Sequence, residues 1–267
     1  MNTPRVRVAA VSYLNSVPLV WGLDKGPHRD RFEVHMMLPS RCADELRAGN
    51  FQAGIIPSIE YQRIRDLLIV PRLCVGSSGP VRSVMLIARS PLPQIRSVAL
   101  DTSSRTSVCL LQILLQRHFR IEPRLVPQAP DISAMLRDCE AALMIGDPAL
   151  ASDFPDLDVY DLADHWREMT GLPFVFAFWA VRREVATASL AVAFQESKEF
   201  AMQHLEEIVR EESARTGLSS KLVHTYLTEN INFNLEGRNL QGLQRFFELS
   251  AEMKLIDRLN PTEFIAQ

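Results

Sequence analysis

The chain has 267 residues, 47% hydrophobic and 23% charged, with 29 Lys and Arg against 32 Asp and Glu for a formal net charge of −3. That balance excludes a mainly disordered chain and supplies apolar material for two compact lobes. No Lys/Arg block is interleaved with aromatic residues, so nucleic acid is not an expected partner and a small molecule is.

No apolar run approaches the roughly 20 residues of a membrane span. The opening stretch "MNTPRVRVAAVSYLN" lacks the apolar core and cleavage site of a signal peptide. Cys42, Cys74, Cys109 and Cys139 follow no C-x-x-C spacing and mostly sit in apolar segments, as reduced buried thiols do. The expected compartment is the cytoplasm, with no membrane association; the oligomeric state is left open.

In chain order, "VRVAAVS" reads as a buried strand, followed by a helix from about Val17, the strand "FEVHMML", the helix "SRCADELRAG", the strand "QAGIIP" and the helix "SIEYQRIR". This alternation predicts βαβ units and a mainly parallel sheet. Ser16 is placed to cap the first helix with Pro18 in its first turn, Ser40 to cap the second with Gly49 closing it, and Ser58 follows Pro57 at a strand end. The helix starts then point to the carboxyl edge of the sheet, where open α/β folds bind ligands.

A second block begins near Pro91 with "SVALD", the helix "TSVCLLQILLQRHF", a strand near "PRLVP", the helix "ISAMLRD" and the buried strand "AALMI", and ends near residues 171–173. "FVFAFWAVR" is expected to be a central strand. Residues 184–215, 219–229 and 240–256 have helical periodicity, with Gly217 and Gly237 as breaks. The predicted architecture is α/β with two lobes: residues 1–88 plus 175–267 form the large one, residues 89–174 an inserted small one, and a ligand cleft lies between them. A single continuous α/β domain is the plainer alternative.

The usual nucleotide, zinc and serine-hydrolase motifs are absent. The six histidines show no clustered spacing with cysteine or carboxylate, so neither a metal site nor a cofactor is expected. What remains is a set of polar segments at strand ends: Tyr13, Asn15 and Ser16; Pro57, Ser58 and Glu60; "SSGPVRSV" with Ser77, Ser78 and Gly79; "DTSSRTS" with Ser104, Arg105, Thr106 and Ser107; "IGDPAL" with Asp147; and "TGLPFVFAFWA". Each has an ordinary reading as a cap, a turn or a packed ring. The fourth resists it best, because capping needs one hydroxyl and Thr102 to Ser107 supply five ahead of a long helix whose N-terminus attracts anions.

Taken together and in order, "SYLNSVPL", "GIIPSIEY", "SSGPVRSV", "LDTSSRTSVCLLQILL", "LMIGDPAL" and "DLADHWREMTGLPFVFAFWA" resemble the chorismate dehydratase family of the futalosine route to menaquinone. The resemblance covers roughly residues 5–182; from Glu184 onward it is one of character alone. It implies the fold of type 2 periplasmic binding proteins, with mixed or mainly parallel sheets. It also implies a hydro-lyase that removes water from chorismate to give 3-[(1-carboxyvinyl)oxy]benzoate without a cofactor.

On that reading Ser104, Arg105, Thr106 and Ser107 bind one substrate carboxylate and Ser77, Ser78 and Gly79 the other, with Tyr13 and Ser58 beside the substrate. Asn15 holds the departing hydroxyl. Glu60 and Asp147 are the carboxylates available as base, in competition with the substrate's own enolpyruvyl carboxylate. The alternatives are a solute-binding protein of the same fold, the sister enzyme that makes dihydroxynaphthoate, and a LysR-type effector domain. The sister family carries a histidine in the segment where this chain has Met144 to Asp147, and a LysR-type regulator would need a helix-turn-helix region, which this chain does not begin with.

Overall fold

The computed structural model describes residues 5–266. In chain order it runs β1 (Val6–Val11), α1 (Val17–Lys25), β2 (Phe32–Met37), α2 (Pro39–Arg47), β3 (Ala53–Pro57), α3 (Ser58–Tyr61), β4 (Leu67–Ile69), β5 (Val75–Ser77) and β6 (Val84–Ala88). Then follow β7 (Ser97–Asp101), α4 (Arg105–Ile113), β8 (Arg124–Gln128), α5 (Ile132–Asp138), β9 (Ala141–Ile145), α6 (Gly146–Ala151), β10 (Asp158–Asp161), α7 (Leu162–Thr170) and β11 (Phe174–Arg182). The tail consists of α8 (Ala188–Gln203), α9 (Leu205–Thr216), α10 (Ser220–Thr225) and α11 (Gly237–Glu252).

Two sheets result. The first has the order β2-β1-β3-β11-β4, with β5 also paired to β11; the second has the order β10-β6-β9-β7-β8. β1 is parallel to β2 and β3, as the βαβ alternation predicts, and its Val8, Ala9 and Ala10 are fully buried, as in a strand covered on both faces.

Of the two expected arrangements, mixed or mainly parallel, the sheets take the mixed one. β11 runs antiparallel to β3, β4 and β5, and β6 runs antiparallel to β9 and β10, so both sheets are mixed. β6 hydrogen-bonds within the second sheet, so the chain leaves the first sheet after Ser77, within residues 78–83, rather than at residue 88. It returns through residues 171–173 into β11. Short buried strands such as β4 and β6 carry no alternation that would separate them from loop in the sequence.

The returning strand is locked by aromatic packing. Trp166 of α7 donates its indole N–H to the Pro173 carbonyl at 3.1 Å and packs edge-on against Phe174 at 5.2 Å, while Phe246 of α11 covers Phe174 at 5.0 Å. All three rings are fully buried, and truncating any one would cost about 3–5 kcal/mol. In the tail, the helix expected over residues 184–215 is broken at His204 into α8 and α9. Gly217 caps α9 in the left-handed region at φ 75°, and Gly237 opens α11, so each marks a break between helices.

Candidate functional site

The carboxyl end of β1 turns through Tyr13 into a 3-10 turn, Leu14–Ser16. Ser16 precedes α1 as expected, but its hydroxyl does not cap the helix. It donates back to the Val11 carbonyl at 2.6 Å and the Tyr13 carbonyl at 2.8 Å, closing the turn and presenting Asn15 to the space between the sheets. Similarly, α2 opens at Pro39, one residue before the expected cap Ser40.

Across the space, β9 ends at Ile145 and α6 begins with Gly146 at φ 71°. A Cβ on Gly146 would stand 2.8 Å from three atoms of the Tyr13 ring, so only glycine suits both the backbone and the close approach. The next residue, Asp147, does not cap α6 as its position before Pro148 suggests. Its Oδ1 accepts the Leu14 N–H at 2.7 Å and its Oδ2 accepts from Arg215 of α9 at 3.0 Å, so one carboxylate ties the second sheet to the β1 turn and to the C-terminal helices.

The N-terminus of α4 forms the floor. Ser104 is its N-cap: Oγ accepts the Ser107 N–H at 3.3 Å and donates to the Ser107 hydroxyl at 2.8 Å. Ahead of it, Asp101 accepts from the Ser103 N–H at 2.8 Å and the Ser103 hydroxyl at 2.6 Å. Burial pushes the Asp101 carboxyl up, opposed by those two hydrogen bonds. Burial likewise raises Tyr13, opposed by its hydrogen bond to the Ser103 hydroxyl oxygen, so its phenol is a neutral donor at pH 7.

The resulting cleft holds about 470 Å³ of empty space, part of it open to solvent. Its polar lining comes from Tyr13, Asn15, Ser16, Ser104, Ser107 and Gly146, set among Val11, Ile55, Val75, Val84, Ile145 and Phe176. Among the described lining residues there is no Asp, Glu, His, Lys or Arg. A larger groove beside Tyr61, Arg63 and Arg258 lies outside this convergence of strand ends.

The structure therefore brings Tyr13, Asn15, Ser104 and Ser107 together and sends the other expected residues elsewhere. Glu60 is 1% exposed, with Oε1 on Arg63 at 2.9 Å and Oε2 on Arg47 at 2.5 Å and on Arg105 at 3.0 Å. It is the anion at the centre of an ion-pair network, away from the cleft. Arg105 spends its other terminal guanidinium nitrogen on both oxygens of Asp44, at 2.7 and 2.9 Å, so it is not turned toward a substrate carboxylate. Thr106 accepts the Ile59 N–H at 3.2 Å, and Ser58 donates to the Val175 carbonyl at 2.9 Å; both fasten α3 to its neighbours. Ser77 donates to the Gly79 carbonyl at 2.7 Å within its own turn, and Ser78 lines a separate surface groove.

Tyr226 had no signal in the sequence. It lies in the wide turn Tyr226–Asn230 that extends α10, donates to Ser83 Oγ at 2.6 Å and is 1% exposed. Burial raises its phenol, the Ser83 hydrogen bond opposing, and Asn15 is a further polar neighbour. A lone Tyr in an amphipathic helix reads as core, and only the fold reveals its polar end next to Asn15. Among the described residues, one group could hold a metal: His118, His165 and Glu168. The linear spacing did not disclose it, and it lies at the far end of α4, about 20 Å along the helix from Ser104.

Comparison with known proteins gives the family. A family model described as menaquinone biosynthesis matches residues 6–252. A chorismate dehydratase of Thermus thermophilus is 31% identical over 236 residues, 81% of this chain and 86% of that protein. A chorismate dehydratase of Campylobacter jejuni is 27% identical over 251 residues, 92% of this chain and 97% of that one. Among solved structures, a protein of Archaeoglobus fulgidus has a TM-score of 0.79 at 18% identity, covering 94% of this chain and 98% of that one. The periplasmic aliphatic sulphonate-binding protein SsuA of Escherichia coli has a TM-score of 0.66 at 17% identity, covering 96% and 95%. These two share the two-lobed periplasmic-binding-protein-like fold with this chain, and by the family match the chain belongs to the menaquinone biosynthesis family.

Proposed function

We propose that this protein is a chorismate dehydratase, a hydro-lyase that converts chorismate to 3-[(1-carboxyvinyl)oxy]benzoate and water. The observation that carries the reading is the cleft itself: uncharged hydrogen-bonding groups on one rim, a helix N-terminus on the floor, apolar walls for a ring. The two relatives named chorismate dehydratase agree with it. Four free buried cysteines support a cytoplasmic setting.

The chemistry asks for little. Loss of the C3 proton and the C4 hydroxyl leaves an aromatic ring, so the product is strongly favoured. One carboxylate of the substrate lies at the first turn of α4, where the Arg105 and Thr106 N–H groups have no intrahelical acceptor and the Ser104 and Ser107 hydroxyls line the cleft. Asn15 donates its amide N–H to the C4 hydroxyl and offers its carbonyl to the hydroxyl proton.

The base is the substrate's own enolpyruvyl carboxylate. Glu60 is held by three arginines and Asp147 by Leu14 and Arg215, and neither lines the cleft. The carboxylate takes the C3 proton, the C3–H electrons form the ring double bond, the C4–O electrons leave with the hydroxyl oxygen, and the proton gained by the carboxylate passes to that oxygen, so water departs and the carboxylate is restored.

Purified protein incubated with chorismate should yield an aromatic product lighter by one water in mass spectrometry. Chorismate bound but unchanged would instead support a binding protein, the role printed for the structural neighbour SsuA.

Two variants test the frame. Gly146→Ala is expected to lower stability by about 1–3 kcal/mol, from the left-handed backbone and the contact with Tyr13. It should also reduce kcat/KM by about 10- to 100-fold as the ring moves into the cleft, read by denaturant unfolding and initial rates. Asp147→Ala strands the Leu14 N–H and Arg215, and should lower kcat by about 10- to 100-fold by loosening the turn that carries Asn15. Asp147→Asn keeps an oxygen for Leu14 and should recover most of that loss. An Asn variant as inactive as the Ala variant would return Asp147 to the role of base.

A further inference from the structure

We propose that His118, His165 and Glu168 form a site for a divalent transition-metal ion, Zn²⁺ foremost, that clamps the end of α4 to α7. His118 stands in the wide turn Leu114–Phe119 that prolongs α4. His165 and Glu168 are three residues apart on α7 and so share one face.

Glu168 Oε2 lies 2.9 Å from His165 Nδ1 and 3.4 Å from His118 Nε2, and the three donor atoms are within 4.8 Å of one another. Bonds of about 2.0–2.2 Å to a tetrahedral Zn²⁺ put neighbouring donors roughly 3.4 Å apart, so side-chain rotation of about 1 Å completes the set. No Lys or Arg pairs with Glu168 among the described residues, which leaves its carboxylate to the two imidazoles.

The surroundings hold the rings in place while leaving an entry. Phe119 packs against the His165 ring at 4.9 Å, and Tyr160 packs against the same ring at 5.7 Å. The side chains of His118, His165 and Glu168 are 25%, 22% and 51% exposed, so an ion reaches them from solvent. Two imidazoles with one carboxylate select Zn²⁺, Ni²⁺ or Cu²⁺ over Mg²⁺ and Ca²⁺, which prefer oxygen alone. Three protein donors leave a fourth position for water.

The clamp joins two segments that reach the cleft. α4 starts at Ser104 and Ser107, and α7 carries Trp166, whose indole holds the Pro173 carbonyl where the chain returns to the first sheet. A bound ion thus braces the cleft floor against the returning crossover.

The test uses full-length, chelator-treated protein titrated with Zn²⁺ alone by calorimetry and with Co²⁺ by visible absorption. One ion per chain, tetrahedral Co²⁺ bands and a Tm rise of about 5–10 °C at 100 times Kd are expected. His118→Ala and His165→Ala should each weaken binding by at least about 100-fold, and Glu168→Gln by at least about 10-fold. These side chains are partly exposed, so the variants should fold, as circular dichroism will report. His28→Ala, at the separate His28 and Glu196 pair, should bind as wild type does. No uptake by the wild type, or uptake that survives His165→Ala, overturns the proposal and leaves a hydrogen-bonded surface triad.

Discussion

Asn15→Ala is expected to reduce kcat for chorismate dehydration by about 100- to 1,000-fold, the range seen when one hydrogen-bond donor aimed at developing charge is removed. As the C4–O bond lengthens, negative charge grows on the departing oxygen, and an amide N–H fixed beside it stabilises that charge without reorganising solvent. Asn15 is half-buried on a turn closed by the two Ser16 hydrogen bonds, with Leu14 tied to Asp147 immediately before it, so the amide is held by groups that the substitution leaves intact. Asn15→Asp should be at least as damaging, because it adds a charge next to a dianionic substrate. Single-turnover rates at saturating chorismate, with circular dichroism to verify the fold, make the measurement. A folded Ala variant with wild-type turnover would remove Asn15 from the mechanism.

Glu60→Ala should produce a loss of another kind, about 3 kcal/mol of stability and a Tm lower by about 6–12 °C. Removing the buried carboxylate leaves Arg47, Arg63 and Arg105 facing one another around a vacated site. The figure lies at the low end for a broken buried ion pair because the three guanidinium side chains are 28–44% exposed and keep some water. Thermal and denaturant unfolding report the change. The protein that remains folded should turn over within a few-fold of wild type, because Glu60 does not line the cleft. A Glu60→Ala protein of normal stability and no turnover would restore the carboxylate as a catalytic base.

The two variants mark what could be read in the residues. Tyr13, Asn15, Ser104 and Ser107 were legible because each sits where a buried strand gives way to a helix start, and strand ends in such folds converge on one edge. Glu60, Arg105 and Thr106 occupy the same kind of position and were read the same way, yet they face away from the cleft. A one-residue difference in position at a helix start rotates a side chain by about 100°, and sequence does not say which residue opens the helix. The hydroxyls of Ser58 and Ser77 are absorbed by nearby backbone carbonyls, a competition that short polar side chains at turns commonly enter.

By itself the sequence determined the succession of elements, the apolar strand interiors, the segments that resemble the family and the location of Asn15 at the end of β1. Those properties depend on residues within a few positions of one another, where periodicity, capping and turn chemistry act. Only the tertiary structure decided that β11 runs antiparallel beside β3, that β6 belongs to the second sheet, that Asp147 bridges Leu14 and Arg215, and that Tyr226 ends beside Asn15. These are pairings between residues tens to hundreds of positions apart, selected by which arrangement buries the apolar surface while leaving most buried polar groups a partner.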